Sequence, residues 1–143
     1  LVELAVVVII IGVLAAFGVP KMLQAVERSK ASEAFGYLAA VRGAQERYQA
    51  REGKYATSLA DLDIQQVPPK YFDVLPDGDT IASNDEDEWS LQLQRKEGSS
   101  GYTQYTITFN QDGFDTDPAN STILTPPASD INPMGSEASA PAT

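Results

Sequence analysis

The chain begins with the apolar stretch LVELAVVVIIIGVLAAFGVPKM, residues 1–22. Its first nineteen residues contain a single charged side chain, that of Glu3. As a helix rising about 1.5 Å per residue they span about 28 Å, close to the roughly 30 Å hydrocarbon core of a bilayer. Residues 6–11 are all β-branched, which favours strand in water. The length of the run and its lack of alternation nevertheless predict a membrane-spanning helix.

Glu3 is the residue that an ordinary membrane anchor does not explain. An ionised carboxylate in hydrocarbon costs a few kcal/mol, and such residues usually have a partner. A cleavable secretory signal begins with a basic segment, whereas Leu1 is already apolar, so this alternative is disfavoured. A simple anchor stays open on length alone. The nearest candidate partner for Glu3 is a positive charge on another chain.

This segment resembles the N-terminus of type IV pilins and of the related pseudopilins of type II secretion systems. The resemblance covers about residues 1–52. It is carried by the aliphatic run together with Leu1, Glu3, Gly12, Gly18 and Pro20. Mature chains of the family begin Phe-Thr-Leu-x-Glu, but no Phe-Thr pair precedes Leu1 here. Either two residues lie upstream or the mature terminus differs.

The resemblance implies how such a segment works. A prepilin peptidase cuts before the apolar run, the new N-terminal amine is commonly methylated, and the glutamate pairs with the amine of a neighbouring subunit. Glu3 would then favour one stagger between subunits, since a carboxylate buried alone is strongly destabilising. Pro20 lacks an amide donor, and Gly12 and Gly18 tolerate extended backbone. We therefore predict that the helix is interrupted between about Gly12 and Pro20 in an assembled filament.

The helical period continues through residues 21–52, so we predict one helix from about residue 1 to residue 52, ended by Gly53. The residues of its apolar face are Leu23, Val26, Ala31, Ala34, Leu38, Val41, Ala44 and Tyr48. The residues assigned to its polar faces are Lys21, Glu27, Arg28, Lys30, Glu33, Arg42, Glu46 and Arg47. A helix this long exceeds what a globular domain needs. Its first half should project, and its second half should pack on a sheet.

The rest of the chain predicts a small sheet joined by loops. Residues 53–87 are typical of loop, with one helical turn at 59–62 capped by Thr57 or Ser58. Alternating apolar positions predict strands at 88–95 and 102–109, joined by a turn at 96–101, and a third short strand at 122–124. Their apolar face should cover the stripe of Leu38, Val41 and Tyr48. The predicted class is α+β and pilin-like, with a loop-rich C-terminal region.

We divide the chain into three parts. Residues 1–20 form the hydrophobic helix, a membrane span before assembly and a filament core after it. Residues 21–125 form the head. Residues 126–143 are rich in Pro, Ser and Ala, which is typical of a disordered tail, and we expect this tail to lie on a neighbouring subunit.

The strongest candidate ligand set is FNQDGFDTD, residues 109–117. Its oxygen donors recur around a glycine turn at a density that suits Ca²⁺, and they are Asn110, Asp112, Asp115 and Asp117. The loop resembles the calcium-binding loop of major pseudopilins. The alternative is an ordinary Asx-rich turn. The acidic run within 83–89 is more typical of a solvated patch, although Asp85 or Asp87 could join a site. Asn120 begins a short glycosylation sequon, which is a weak signal.

Composition excludes most catalytic chemistry. The chain has no Cys and no His, so it has no disulfide framework and no histidine-dependent triad, and we predict that it is not an enzyme. Residues 53–143 carry a net charge of −11, from four Lys/Arg and fifteen Asp/Glu, which repels nucleic acid.

The sequence therefore predicts the structural subunit of a bacterial type IV pilus-like filament used in adhesion, motility or surface attachment. The subunit would lie in the inner membrane before assembly and at the cell surface afterwards. Its partners would be further copies of itself, a prepilin peptidase and the assembly machinery. One alternative is the major pseudopilin of a type II secretion system, and another is a monomeric membrane-anchored calcium-binding module.

Overall fold

In a computed structural model, which describes residues 1–83, 86–98 and 102–135, the chain opens with one very long helix. Helix α1 runs over Val2–Glu52 and ends at Gly53, whose φ of 76° is left-handed and whose N–H donates to the Gln49 carbonyl. The predicted helix and its glycine cap are confirmed. In the single chain α1 continues through Pro20. The interruption expected in a filament stays a prediction.

The helix packs on a four-stranded antiparallel sheet in the order β1-β2-β3-β4. The strands are β1 Phe72–Leu75, β2 Ser90–Arg95, β3 Thr106–Asn110 and β4 Gly113–Phe114. The register pairs Val74 with Leu93 and Leu93 with Ile107, so apolar side chains line up on one face. The α+β class is confirmed, β2 lies within the first predicted strand, and β3 overlaps the second and extends one residue beyond it. Residues 99–101 of the predicted turn lie outside the described residues.

Three local predictions had different outcomes. The turn predicted at 59–62 is confirmed as a 3-10 helix at Leu59–Asp61, where the Ser58 hydroxyl accepts the Ala60 N–H at 3.2 Å. Strand β1 lies in a region that we predicted as loop. The strand predicted at 122–124 is wrong, because Thr122–Leu124 forms a 3-10 helix.

The core lies between the inward face of α1 and the apolar face of the sheet. Ala31, Ala34 and Ala44 are fully buried, and these small side chains let the helix approach the strands closely. Leu38 and Val41 are buried and Tyr48 packs partly buried against them, as predicted. The facing residues of the sheet side are Trp89, Leu91, Leu93, Ile107 and Phe109. The core therefore begins well along the helix and leaves its first half outside.

Part of the predicted tail is ordered on its own chain. A 3-10 helix at Ala128–Ile131 packs against α1, with Ala128 and Ile131 buried. The Gln24 side-chain amide donates to the Asp130 carbonyl at 3.3 Å. The expectation of disorder is therefore wrong for 126–135, because two apolar residues three positions apart share one buried face. Contact of the tail with a neighbouring subunit stays a prediction. Residues 136–143 lie outside the described residues.

Candidate functional site

The first half of α1 is an exposed apolar surface. Its apolar side chains are open along the whole run, including Ile9 at 65%, Leu14 at 67% and Phe17 at 72% exposure. The first buried residue of the helix is Glu27. Among the described residues, α1 is the one helix long and apolar enough to cross a membrane. The chain thus carries one candidate membrane helix, whose apolar face has no cover from the head.

The predicted assembly residues all lie on this exposed half. Leu1 is the N-cap residue, and its carbonyl accepts the Ala5 N–H at 3.1 Å. Glu3 lies in the first turn and makes no ion pair with any described residue. Gly12 and Gly18 have open space where a Cβ would lie. Glu3 and Pro20 are about 26 Å apart along the axis, so one chain alone does not bring these residues together.

A buried ionic cluster marks the point where α1 enters the head. Both oxygens of Glu27 face the guanidinium of Arg95 at the end of β2, with Oε2 3.2 Å from Nη2. The Lys30 Nζ lies 3.2 Å from Oε2, and the Tyr105 hydroxyl donates to Oε1 at 3.3 Å. Glu27 is fully buried. Its assignment to a solvent-facing side of the helix is therefore wrong.

The spacing of the helix contained the signal for this cluster. Positions 27, 31, 34, 38, 41 and 45 recur at alternating steps of four and three, which is one face of a helix. All six are buried, with the polar Glu27 and Gln45 at the two ends of the stripe. Sequence reasoning assigned Glu27 to a polar face and did not consider Gln45, although the spacing places both inside.

The partners of Glu27 keep it ionised. Burial is the largest single influence and raises the pKa of Glu27, but the hydrogen bonds and charges of Arg95 and Lys30 together outweigh it. The pKa of Glu27 therefore lies below its usual value. Burial, followed by the nearby Glu27 charge, raises the pKa of Tyr105, so its hydroxyl stays protonated and donates. The cluster holds one carboxylate between two cations and one hydroxyl donor.

Gln45 closes the other end of the buried stripe. Its side-chain amide donates to the Ala56 carbonyl and accepts the Ala56 N–H, both at 2.8 Å. These two bonds give both the carbonyl oxygen and the amino group of the buried Gln45 side chain a partner. Both partners belong to the loop that follows Gly53. The chain leaving α1 is thereby fixed to the helix that it has just left.

The acidic loop after β3 is a series of side-chain caps on backbone amides. Asn110 Oδ1 accepts the Asp112 N–H, Asp115 Oδ1 accepts the Asp117 N–H, and Asp117 Oδ1 accepts the Ala119 N–H, each at 2.9 Å. Within the described ranges, no three acidic side chains are grouped so that they could hold a metal ion. This conformation matches the Asx-turn alternative. Calcium binding by the predicted ligands stays a prediction.

The predicted sequon has a structural use in the fold. Thr122 Oγ1 accepts the Thr106 N–H at 2.8 Å, and Ser121 Oγ accepts the Thr108 N–H at 3.1 Å. These hydroxyls cover the edge of β3 where a further strand would pair, which explains why 122–124 is not a strand. The Asn120 side chain donates to Asp115 Oδ2 at 2.9 Å. Glycosylation at Asn120 stays a prediction.

Of the two acids considered for a joint site, Asp87 is exposed and Asp85 lies outside the described residues.

The chain matches no protein-family model, no curated protein and no solved structure. The functional argument therefore depends on the sequence resemblance and on the geometry of this molecule.

Proposed function

We propose that this protein is the structural subunit of a type IV pilus-like helical filament. The observation that carries the proposal is the division of α1 into two halves, one exposed and apolar, the other buried in the head. Lipid can cover the first half before assembly, and the same halves of other copies can cover it afterwards. The subunit would lie in the inner membrane first and at the bacterial cell surface later.

Glu3 favours a polymer over a plain anchor. An anchor gains nothing from a carboxylate in hydrocarbon, and its cost falls only when a cation comes close. Within the described residues no cation of the same chain forms an ion pair with Glu3. The N-terminal amine of a neighbouring subunit, delivered by the assembly machinery after prepilin peptidase processing, supplies such a cation.

A second candidate is the major pseudopilin of a type II secretion system. The absence of cysteine and the acidic glycine loop at 109–117 favour it. The two candidates share the subunit architecture and differ in the filament, which is long and extracellular for a pilus and short for a pseudopilus. Electron microscopy of filaments sheared from cells separates them by length.

The substitution Glu3→Ala tests polymerisation directly. We expect the variant to fractionate with membranes as the wild type does, while the filament yield falls at least about tenfold, since about 1.4 kcal/mol per contact suffices for that factor. The measurement is immunoblotting of membrane and sheared fractions together with electron microscopy. Glu33→Ala, an exposed change on the same helix, is the matched control. Wild-type filament yield from Glu3→Ala would exclude this role of Glu3. A wild-type chain that gives no filaments at all would leave the membrane-anchored monomer, with or without calcium.

A further inference from the structure

The end of the head where α1 enters it is rich in cations. Three of them surround the ring of Tyr71: Lys30 Nζ lies 4.6 Å from the ring centroid, Arg95 Cζ 5.5 Å and Lys70 Nζ 5.7 Å. Lys96 follows Arg95, Arg28 lies within one turn of Lys30 on α1, and Lys21 lies about 14 Å before Lys30 along the helix. We call these six residues the basic end.

The carboxylates near the basic end do not neutralise it. Glu27 is shared between Arg95 and Lys30, and Asp73 pairs with Lys96 at 3.2 Å. Glu33, Glu97 and Asp130 also lie near this end, and all three are exposed, so five carboxylates face six cations. Lys70 is exposed and, among the described residues, forms no ion pair. A positive surplus therefore faces solvent around Tyr71.

The opposite end of the head is acidic. Residues 86–88, all acidic, precede β2, and the six residues of β2 up to Arg95 cover about 20 Å at about 3.3 Å per residue. Lys30 and Glu52 are about 33 Å apart along α1. We call the following exposed carboxylates the acidic end: Glu52, Asp61, Asp63, Glu86, Asp87 and Glu88.

Three cations lie near the six carboxylates of the acidic end, namely Arg47, Arg51 and Lys54, so a net negative charge of about three remains. Arg47 pairs with Asp63 at 2.9 Å, whereas Asp61 and Glu86 form no ion pair among the described residues. Lys54 lines the same cleft as Asp61 and Glu86, so one cation faces both carboxylates. The head thus has opposite charge at its two ends, in a chain whose net charge is −10.

We propose that the basic end of one subunit contacts the acidic end of the next copy along the filament axis. This inference rests on the proposed filament function. A contact between two different surfaces of identical chains is head-to-tail, and it continues into an open helical polymer unless the rotation closes. Complementary charge also favours one orientation of the incoming subunit over its reverse, because like-charged ends repel.

The distance of the basic end from the membrane favours a second copy of the chain, rather than anionic lipid, as its partner. Lys30 lies about 16 Å beyond Val19 along α1, and Lys70 shares its level because both cations contact the ring of Tyr71. The polar layer of a bilayer is only about 5–8 Å thick on each side of the hydrocarbon core. Lys21 reaches that layer, whereas Lys30 and Lys70 lie above it.

Charge reversal with rescue tests the contact. The full chain, purified in mild detergent, is polymerised by detergent removal, and the critical concentration is measured by sedimentation. At about 0.01–0.1 M salt, where charges act over about 10–30 Å, Lys70→Glu should raise that concentration at least about fivefold. The double variant Lys70→Glu/Asp61→Lys should recover most of the loss. At about 1 M salt, where the screening length is about 3 Å, Lys70→Glu should match the wild type.

Lys54→Glu is the matched control, because it makes the same charge change at the acidic end. It should leave the critical concentration unchanged or lower it, because the acidic end becomes more negative. Wild-type chains that never polymerise would overturn the proposed function and this inference together. Wild-type chains that polymerise equally well with Lys70→Glu would overturn this inference alone. If that variant assembles normally but loses retention on anionic vesicles relative to neutral ones, the partner is lipid and this inference is wrong.

Discussion

The two halves of α1 belong to one unbroken helix yet have opposite surroundings. Residues before Glu27 carry large apolar side chains that are exposed, whereas the inward residues after it are mostly small or medium and fully buried. Hydrophobicity alone does not distinguish which half builds the head. The difference lies in spacing, because the first half is apolar on all sides and the second half has one apolar face. A helix apolar all round needs cover from outside its own domain.

The largest loss of stability should come from substituting Glu27, which lies at the boundary between the two halves of α1. Glu27→Ala leaves Arg95 buried without its carboxylate, and breaking one side of a buried ion pair typically costs about 3–5 kcal/mol. We expect the free energy of unfolding of the head to fall by that order. Urea denaturation in detergent, followed through the fluorescence of the single tryptophan Trp89, measures it.

The pH dependence of the urea unfolding transition distinguishes the contribution of the Glu27 charge from that of its packing. The folded state lowers the pKa of Glu27 below its usual value of 4.5, so its contribution is present above that pH and is lost as pH falls through the folded pKa. Glu27→Gln should therefore reduce the acid sensitivity of the head. An unchanged loss of stability below pH 4.5 in that variant would assign the acid sensitivity to other carboxylates.

The next effect compares one leucine from each half of the helix. Leu38→Ala deletes a fully buried side chain and should cost about 2–5 kcal/mol in the same urea transition. Leu14→Ala removes a side chain that is 67% exposed and should change that transition by less than about 0.5 kcal/mol. Equal losses from the two substitutions would mean that the exposed half also stabilises the head.

Much of this division was predictable from the sequence, and the exceptions have physical causes. A long periodic segment ending in Gly53 predicted α1, and alternating residues predicted β2 and β3. Strand β1 was missed because a four-residue strand ending directly before Pro76 looks like loop by composition. We assigned Glu27 to a polar face because it is charged, although its position falls in the buried stripe of residues 27–45. Its partner Arg95 is 68 positions away, so pairing needed the tertiary structure.

The candidate assembly residues were easier to find than the ligands of the acidic loop. Glu3 stands out because one charge interrupts nineteen residues, which needs no knowledge of packing. The acidic loop has carboxylate oxygens in any fold. Whether those oxygens can coordinate an ion depends on which N–H groups already donate hydrogen bonds to them. In the structure Asp115 already accepts from the Asp117 N–H and from the Asn120 side chain. Sequence spacing carries no information about that competition.

The smallest expected effect tests whether the loop nevertheless binds calcium. If it does, a tenfold excess of Ca²⁺ over Kd stabilises the head by about 1.4 kcal/mol, and a chelator lowers the melting temperature accordingly. Asp112→Ala should remove this sensitivity, while Asp73→Ala, an exposed acid on β1, should retain it. Thermal melts with and without chelator measure the difference. A melting temperature that chelator does not change would leave the loop as a turn only.

The hydroxyls of Ser121 and Thr122 on the edge of β3 have a consequence for aggregation. Unpaired strand edges are templates on which other chains add strands and aggregate. Here side chains occupy two amides of that edge, and the opposite edge is a four-residue strand followed by Pro76. The addition of strands from other chains, from which amyloid-like fibres grow, is therefore disfavoured at both edges of the sheet.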